Sequence, residues 1–226
     1  MKNFLLPVLL LGLLLLIPDK IFAQTPAPDW IQRLPAVQSE NQVIVVAGTG
    51  GTRATVSMHE RNSAGEWIQI LSTPGYIGSN GLGKVRAGDH KTPVGVFRID
   101  KALGINPNPG CAIPYARITE NLYWSGDWNY KYNQLVDIRE YPGLDRVNSE
   151  HLIDYQPFYR YVLNMGYNSE CIPGKGSALF MHCSKPGRPF TGGCVAVPED
   201  KMLFVMRHVK PDCMIIIDSI ENLGGY

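Results

Sequence analysis

The sequence predicts a mostly β domain with one or two short helices, and three observations lead there. Apolar, β-branched runs of about four to eight residues recur, as at 43–47 and 214–217. Clusters of glycine, proline and asparagine separate them, as in Asn62-Ser63-Ala64-Gly65. Clear helical spacing is confined to 199–209, where Met202, Leu203, Val205, Met206 and Val209 fall on one face.

Taken in order, residues 1–23 read as an export signal. Lys2 supplies the positive start, 4–17 the leucine-rich core, and Ile21-Phe22-Ala23 a small-residue end, with cleavage expected after Ala23. Pro7, Gly12 and Pro18-Asp19-Lys20 keep the apolar run short of the ~20 residues that a membrane helix needs, so no stable span is expected after cleavage. Residues 24–41, with Pro26, Pro28 and Pro35, suit a leading arm in which Trp30, Ile31 and Leu34 make a docking helical turn. The domain is expected over 42–219. It opens with a β-meander at 43–47, 54–59 and 67–71.

Residues 72–95 are dense in glycine. Gly81-Leu82-Gly83-Lys84 lacks the strand-to-helix setting and the following Ser or Thr of a phosphate loop, so a loop in which backbone approaches substrate closely is the better account. Asp89 and Thr92 are expected to fix its turn by side-chain-to-backbone hydrogen bonds, with Pro93 setting φ. A strand follows at 94–99, then a long irregular insertion at about 101–157. Its aromatics, Tyr115, Tyr123, Trp124, Trp128, Tyr130, Tyr132 and Tyr141, more commonly fill a core beneath long loops than stack on sugars. Strands are expected at 158–165, 177–184, 195–197 and 214–217. A helix begins at Pro198 with Glu199 and Asp200 in its first turn.

Lys and Arg number 21 against 20 Asp and Glu, which leaves no clustered excess for nucleic acid. The five cysteines include no C-x-x-C pair and no H-x-x-x-H accompanies them, so neither metal nor cofactor is expected. In an oxidising compartment an odd count leaves one thiol over. Cys194 is the one left unpaired here. The other four allow three connectivities that sequence cannot separate, with Cys183–Cys213 and Cys111–Cys171 preferred; the alternative is that they are small apolar core residues.

Cys194 follows two glycines and precedes the apolar run Val195-Ala196-Val197, while His182 ends an apolar run across the loop Lys185-Pro186-Gly187-Arg188-Pro189. Acyl transfer by cysteine needs a sulfur nucleophile, a base within reach, and N–H donors aimed at the developing oxyanion. Cys194 is the candidate nucleophile and His182 the base that raises its thiolate fraction. The backbone amides of Gly192, Gly193 and Cys194 are the candidate oxyanion hole. His59, His90, His151 and His208 have no comparable setting.

These residues resemble the active-site signature of the L,D-transpeptidase (YkuD-type) catalytic domain, in which a histidine precedes a Ser/Thr-x-Gly-Cys motif, matched here by His182, Thr191, Gly193 and Cys194. Gly88-Asp89-His90-Lys91-Thr92-Pro93-Val94-Gly95-Val96-Phe97 is similar to the family's G-D-x-x-T-P-x-G-x-F segment, and the resemblance runs over roughly 43–218. Tyr132, Asn133 and Asp137 look like a feature of one branch of the family. Better-known members carry Arg or Asn two residues after the nucleophile, where this chain has Ala196. The resemblance implies a mixed β-sandwich and an exported, periplasmic or cell-wall-associated enzyme that cross-links peptidoglycan stem peptides through a cysteine thioester. Thr191, Cys183, Gly88, Asp89 and Thr92 are then expected beside the substrate. The alternatives are a stem-peptide carboxypeptidase or endopeptidase, and a non-catalytic wall-binding protein.

Overall fold

A computed structural model describes residues 25–225; the expected export signal lies outside them. The strands are β1 (Thr25–Pro26), β2 (Gln42–Gly50), β3 (Arg53–Arg61), β4 (Trp67–Tyr76), β5 (Gly95–Arg98), β6 (Ala102–Gly104) and β7 (Tyr115–Arg117). There follow β8 (Leu122–Trp124), β9 (Leu135–Asp137), β10 (Glu150–His151), β11 (Val162–Asn164), β12 (Phe180–Cys183), β13 (Val195–Val197) and β14 (Met214–Ser219). Two α-helices, α1 (Asp29–Arg33) and α2 (Glu199–His208), complete the set.

One mixed sheet runs β5-β14-β2-β3-β4-β13-β12-β11-β6-β7, with β1 added against β4. The meander β2-β3-β4 is antiparallel, whereas β14 joins β2, and β12 joins β13, in parallel. Parallel neighbours put cover on both faces of a sheet, and β2 shows this directly. Ile44 and Val46 point into the main core with Ile215 and Ile217 and with Met202, Val205 and Met206 of α2. Val43, Val45 and Ala47 point the other way, onto Ala27, Ile31 and Val37 of the leading arm. The arm is therefore docked, as its apolar residues suggested. α2 starts behind Pro198 with Glu199 and Asp200 in its first turn and Arg207 and His208 in its last, charges that suit both ends of the helix dipole.

The insertion builds a second sheet, β10-β8-β9. Its aromatics divide: Tyr123, Trp124 and Tyr132 are buried, while Trp128 and Tyr130 are exposed. Trp124 packs edge-on to Phe180 of β12, so core filling by the insertion reaches the strand that carries His182.

Two expected strands are shorter than the sequence suggested. Over 158–165 a 3-10 turn, Phe158–Arg160, precedes β11, because only Val162–Asn164 finds partners in β6 and β12. At 177–184 the strand begins only at Phe180, since Ala178 (φ +55°) takes a left-handed backbone angle that interrupts an extended strand. The expected disulfides are absent among the described residues, where all five cysteines are free. Cys183 and Cys213 serve as small apolar side chains of the main core instead.

His59 on β3 is fully buried; its Nε2 lies 2.8 Å from Ser57 Oγ, and among the described residues no partner is found for Nδ1. Burial lowers its pKa from 6.5 to about 4. The folded state therefore holds fewer protons than the unfolded one below pH 6.5, and the stability His59 contributes is complete above that pH and lost as pH falls toward 4. Urea midpoints are expected to fall on acidification from pH 6.5 to 4, with a shallower fall in His59→Gln; an unchanged slope in the variant would refute this assignment.

Candidate active site

The parallel pairing of β12 with β13 places the two central side chains. Met181 faces Val195, His182 faces Ala196 and Cys183 faces Val197. Continuing that register back by one residue sets Cys194 opposite Phe180. Side chains alternate along a strand, so Phe180, His182 and Cys194 share one face, while Met181, Cys183, Val195 and Val197 enter the main core on the other. His182 and Cys194 are thus diagonal neighbours on a rigid sheet, and both line a cleft of about 320 Å³.

The Cys194 loop is held by its carbonyl. Cys194 O accepts from Thr191 Oγ1 at 2.7 Å and from Thr92 Oγ1 at 3.0 Å. Each hydroxyl also takes an amide proton, from Gly193 N at 3.1 Å and from Gly78 N at 2.9 Å respectively. Both threonines are buried, which makes these bonds hard to replace by water. Gly193 adopts φ +135°, and a Cβ there would stand 2.8 Å from Lys91 O, so glycine is required on both counts.

Asp89 builds the turn that delivers Thr92. Its carboxylate accepts from the N–H groups of Val85, Arg86 and Lys91 and pairs with Lys84 Nζ at 2.7 Å. Burial alone would raise its pKa, but Lys84 and the three amides outweigh that and hold it well below the ordinary carboxylate range.

His182 is 7% exposed. Its Nδ1 lies 2.9 Å from the carbonyl of Cys183, and a carbonyl only accepts, so Nδ1 carries the proton and Nε2 of the neutral ring offers a lone pair. Burial is the main cause that lowers its pKa to about 4; the Cys183 carbonyl opposes and the charge of Arg188 assists. The Cys194 sulfur accepts from Phe180 N at 3.4 Å, and its thiol donates to Ala178 O at 3.3 Å. Burial and then the charge of Glu150 push the thiol up to about 12, against Phe180 N–H and Lys84. The resting pair is accordingly a neutral thiol beside a neutral imidazole. The expectation of an enriched thiolate near neutral pH is corrected by the burial of both groups, which penalises separated charge.

The structure gathers His182, Thr191, Gly192, Cys194 and Gly88 on the cleft lining. Asp89 and Thr92 lie behind it and shape it. The Cys183 side chain is buried in the main core, so its expected place beside substrate is corrected; only its carbonyl serves the site. Gly193 N–H, expected in the oxyanion hole, is given to Thr191 Oγ1, whereas among the described residues no acceptor is found for the N–H of Gly192 or Cys194. Sequence reasoning missed Lys84, Glu150, Tyr159 and Arg188, all on the lining. Arg188 sits in the loop between His182 and Cys194, a position that was a usable signal. Nothing local marked Glu150.

The L,D-transpeptidase catalytic domain (YkuD) profile matches residues 41–217. The chain belongs to that family. A solved structure similar to this member is that of the helical cell shape determining protein Pgp2 from Campylobacter jejuni, 14% identical, with a TM-score of 0.40. The match covers 79% of this chain and 48% of that one, so this chain spans about half of that protein's length. No curated protein sequence matches at a significant level. Within the family's pattern, Ala196 is the buried register partner of His182, and the guanidinium that reaches this cleft comes from Arg188, which lies over Phe158 and Phe190.

Thr92→Val should strand the buried Gly78 N–H and remove one donor from the Cys194 carbonyl, costing about 1–3 kcal/mol of stability. Thr92→Ser should restore most of it. Thermal melts of the three proteins check this, and a Val variant as stable as the parent would show that the hydroxyl does not hold the loop.

Proposed function

We propose that this chain is an exported peptidoglycan L,D-transpeptidase that works through a thioester on Cys194. The observation that carries the reading is the placing of His182 and Cys194 on one sheet face of one cleft, with the imidazole turned by the Cys183 carbonyl so that Nε2 accepts.

As the sulfur attacks a stem-peptide carbonyl carbon, His182 Nε2 takes the thiol proton. Proton transfer accompanies attack because neither the thiolate nor the imidazolium is stable beforehand. The carbonyl's electron pair moves onto oxygen, which the free N–H groups of Gly192 and Cys194 are available to meet. When the C–N bond breaks, His182 returns its proton to the leaving amine, and the acyl group remains on sulfur. An amine of a second stem then takes the acyl group. Arg188 gives the cleft a cationic group suited to a carboxylate of an anionic wall peptide, whereas Lys84 is already paired with Asp89.

Incubation of the mature protein with isolated muropeptides, followed by mass spectrometry, tests the reading. Cross-linked dimers are expected from the parent and a loss of at least ~10³-fold from Cys194→Ala. Shortened monomers alone would make the enzyme a hydrolase, and parental function in Cys194→Ala would make the chain a binding protein. The acylation rate should fall in acid only as pH drops through about 4, where His182 protonates. An acid limb near the ordinary histidine value would contradict the buried neutral pair.

A further inference from the structure

Among the described residues Glu150 is the one carboxyl on the cleft lining, and it arrives there from the insertion, on β10, rather than from either family motif. Its Oε2 accepts a hydrogen bond from Tyr159 Oη at 2.8 Å. No donor to Oε1 is found among the described residues. Tyr159 is itself buried, stacked on Tyr155 with ring centroids 4.8 Å apart and packed 5.6 Å from the His182 ring. The carboxyl is thus fixed at one oxygen, open at the other, and joined through one aromatic ring to the imidazole. The titratable and charged groups around it are Tyr155, Tyr159 and Cys194, and further round the cleft His182, Lys84 and Arg188. A partly buried acid with a free oxygen in a reactive cleft costs stability unless a cation or a proton comes to it.

We propose that Glu150 is a further catalytic residue: its carboxylate docks the cationic amine that accepts the acyl group and takes the proton which that amine must lose before it attacks. The inference rests on the reading of Cys194 as the acylated nucleophile. In the second half-reaction the ammonium of the acceptor gives one proton to Glu150. The freed lone pair forms the N–C bond to the thioester carbon, and the C=O pair moves onto oxygen. His182 removes a second proton from the attached nitrogen. Collapse breaks the C–S bond, the departing sulfur takes the proton from His182, and Glu150 releases its own to solvent. The products are the amide, the free thiol and one proton.

The Glu150 carboxylate disfavours a thiolate at Cys194 and so helps hold the sulfur protonated. The neutral thiol and its acylated form are alike uncharged, so neither opposes ionisation of Glu150. Burial places its pKa at about 7 against the lowering effect of the Tyr159 hydroxyl, the range in which a base serves best near neutral pH.

The test is a rapid-quench time course with an acyl-donor peptide and an amine acceptor, reading both the Cys194 adduct and the amide product. In Glu150→Gln, which keeps an acceptor for Tyr159, amide formation should slow about 100-fold and far more than adduct formation, so that adduct accumulates. In the parent the transfer rate should rise with pH through about 7, and the variant should lack that limb. Hydroxylamine, an uncharged acceptor at neutral pH, should recover much of the variant's loss, which a merely structural role would not allow. If Glu150→Gln does not fold, Tyr159→Phe carries the test: removing the hydroxyl should move the limb to higher pH. Parental transfer with the parental limb in Glu150→Gln, or an unmoved limb in Tyr159→Phe, overturns the role of Glu150 alone. A parent that forms no Cys194 adduct overturns the underlying reading as well.

Discussion

The carbonyl oxygen of Cys194, held by the hydroxyls of Thr191 and Thr92, is the joint on which the site depends. Two stretches about a hundred residues apart in sequence meet at that atom, so the backbone of Cys194 is set by buried neutral hydrogen bonds from its own loop and from the Thr92 segment together. Behind it, Asp89 ties the glycine-rich turn through Lys84 and three amides, which places Thr92. Gly78 closes the same joint. A Cβ there would collide with the backbone of His90 and lie 2.9 Å from Lys91 Cα and Thr92 N, so the two motif segments can lie together only over a glycine. Replacing any of these groups alters where the sulfur stands without touching it.

The electrostatics of the cleft follow from the burial of its imidazole and its thiol. Burial drives the imidazole down and the thiol up, in opposite senses, and both shifts favour the uncharged pair. Such a pair spends no free energy on a resting ion pair, and in the proposed reaction it would confine charge to the moment of attack. It also protects the sulfur from adventitious oxidation, which follows thiolate character. Glu150 strengthens the same bias from the insertion side.

Much of the frame was legible from sequence because it is local. The meander strands, the closing strand and α2 each carry their own periodicity, and β2 reads as a continuous apolar run because both of its faces are covered. Cys194 and His182 were legible because glycines, a loop and two apolar runs surround them in the chain. What escaped depends on contacts distant in sequence. Residues 158–165 look like one strand, but partners exist only for Val162–Asn164, and Phe158 and Tyr159 are turned toward the cleft instead. Asn133, seen only as part of a family pattern, accepts from Trp124 Nε1 and Ala178 N and donates to the carbonyls of Tyr167 and Asn168; it thereby fastens the insertion to the segment whose carbonyl receives the Cys194 thiol. Cysteine count suggested bridges, yet an apolar core accommodates a thiol as readily as a small aliphatic group.

Acid quenching of the purified protein during turnover of a stem peptide, followed by digestion and mass mapping of all five cysteines, tests the central claim most directly. An acyl group on Cys194 and on no other cysteine is the result this account predicts. Turnover with every cysteine unmodified, or with the acyl group on a different residue, would contradict it.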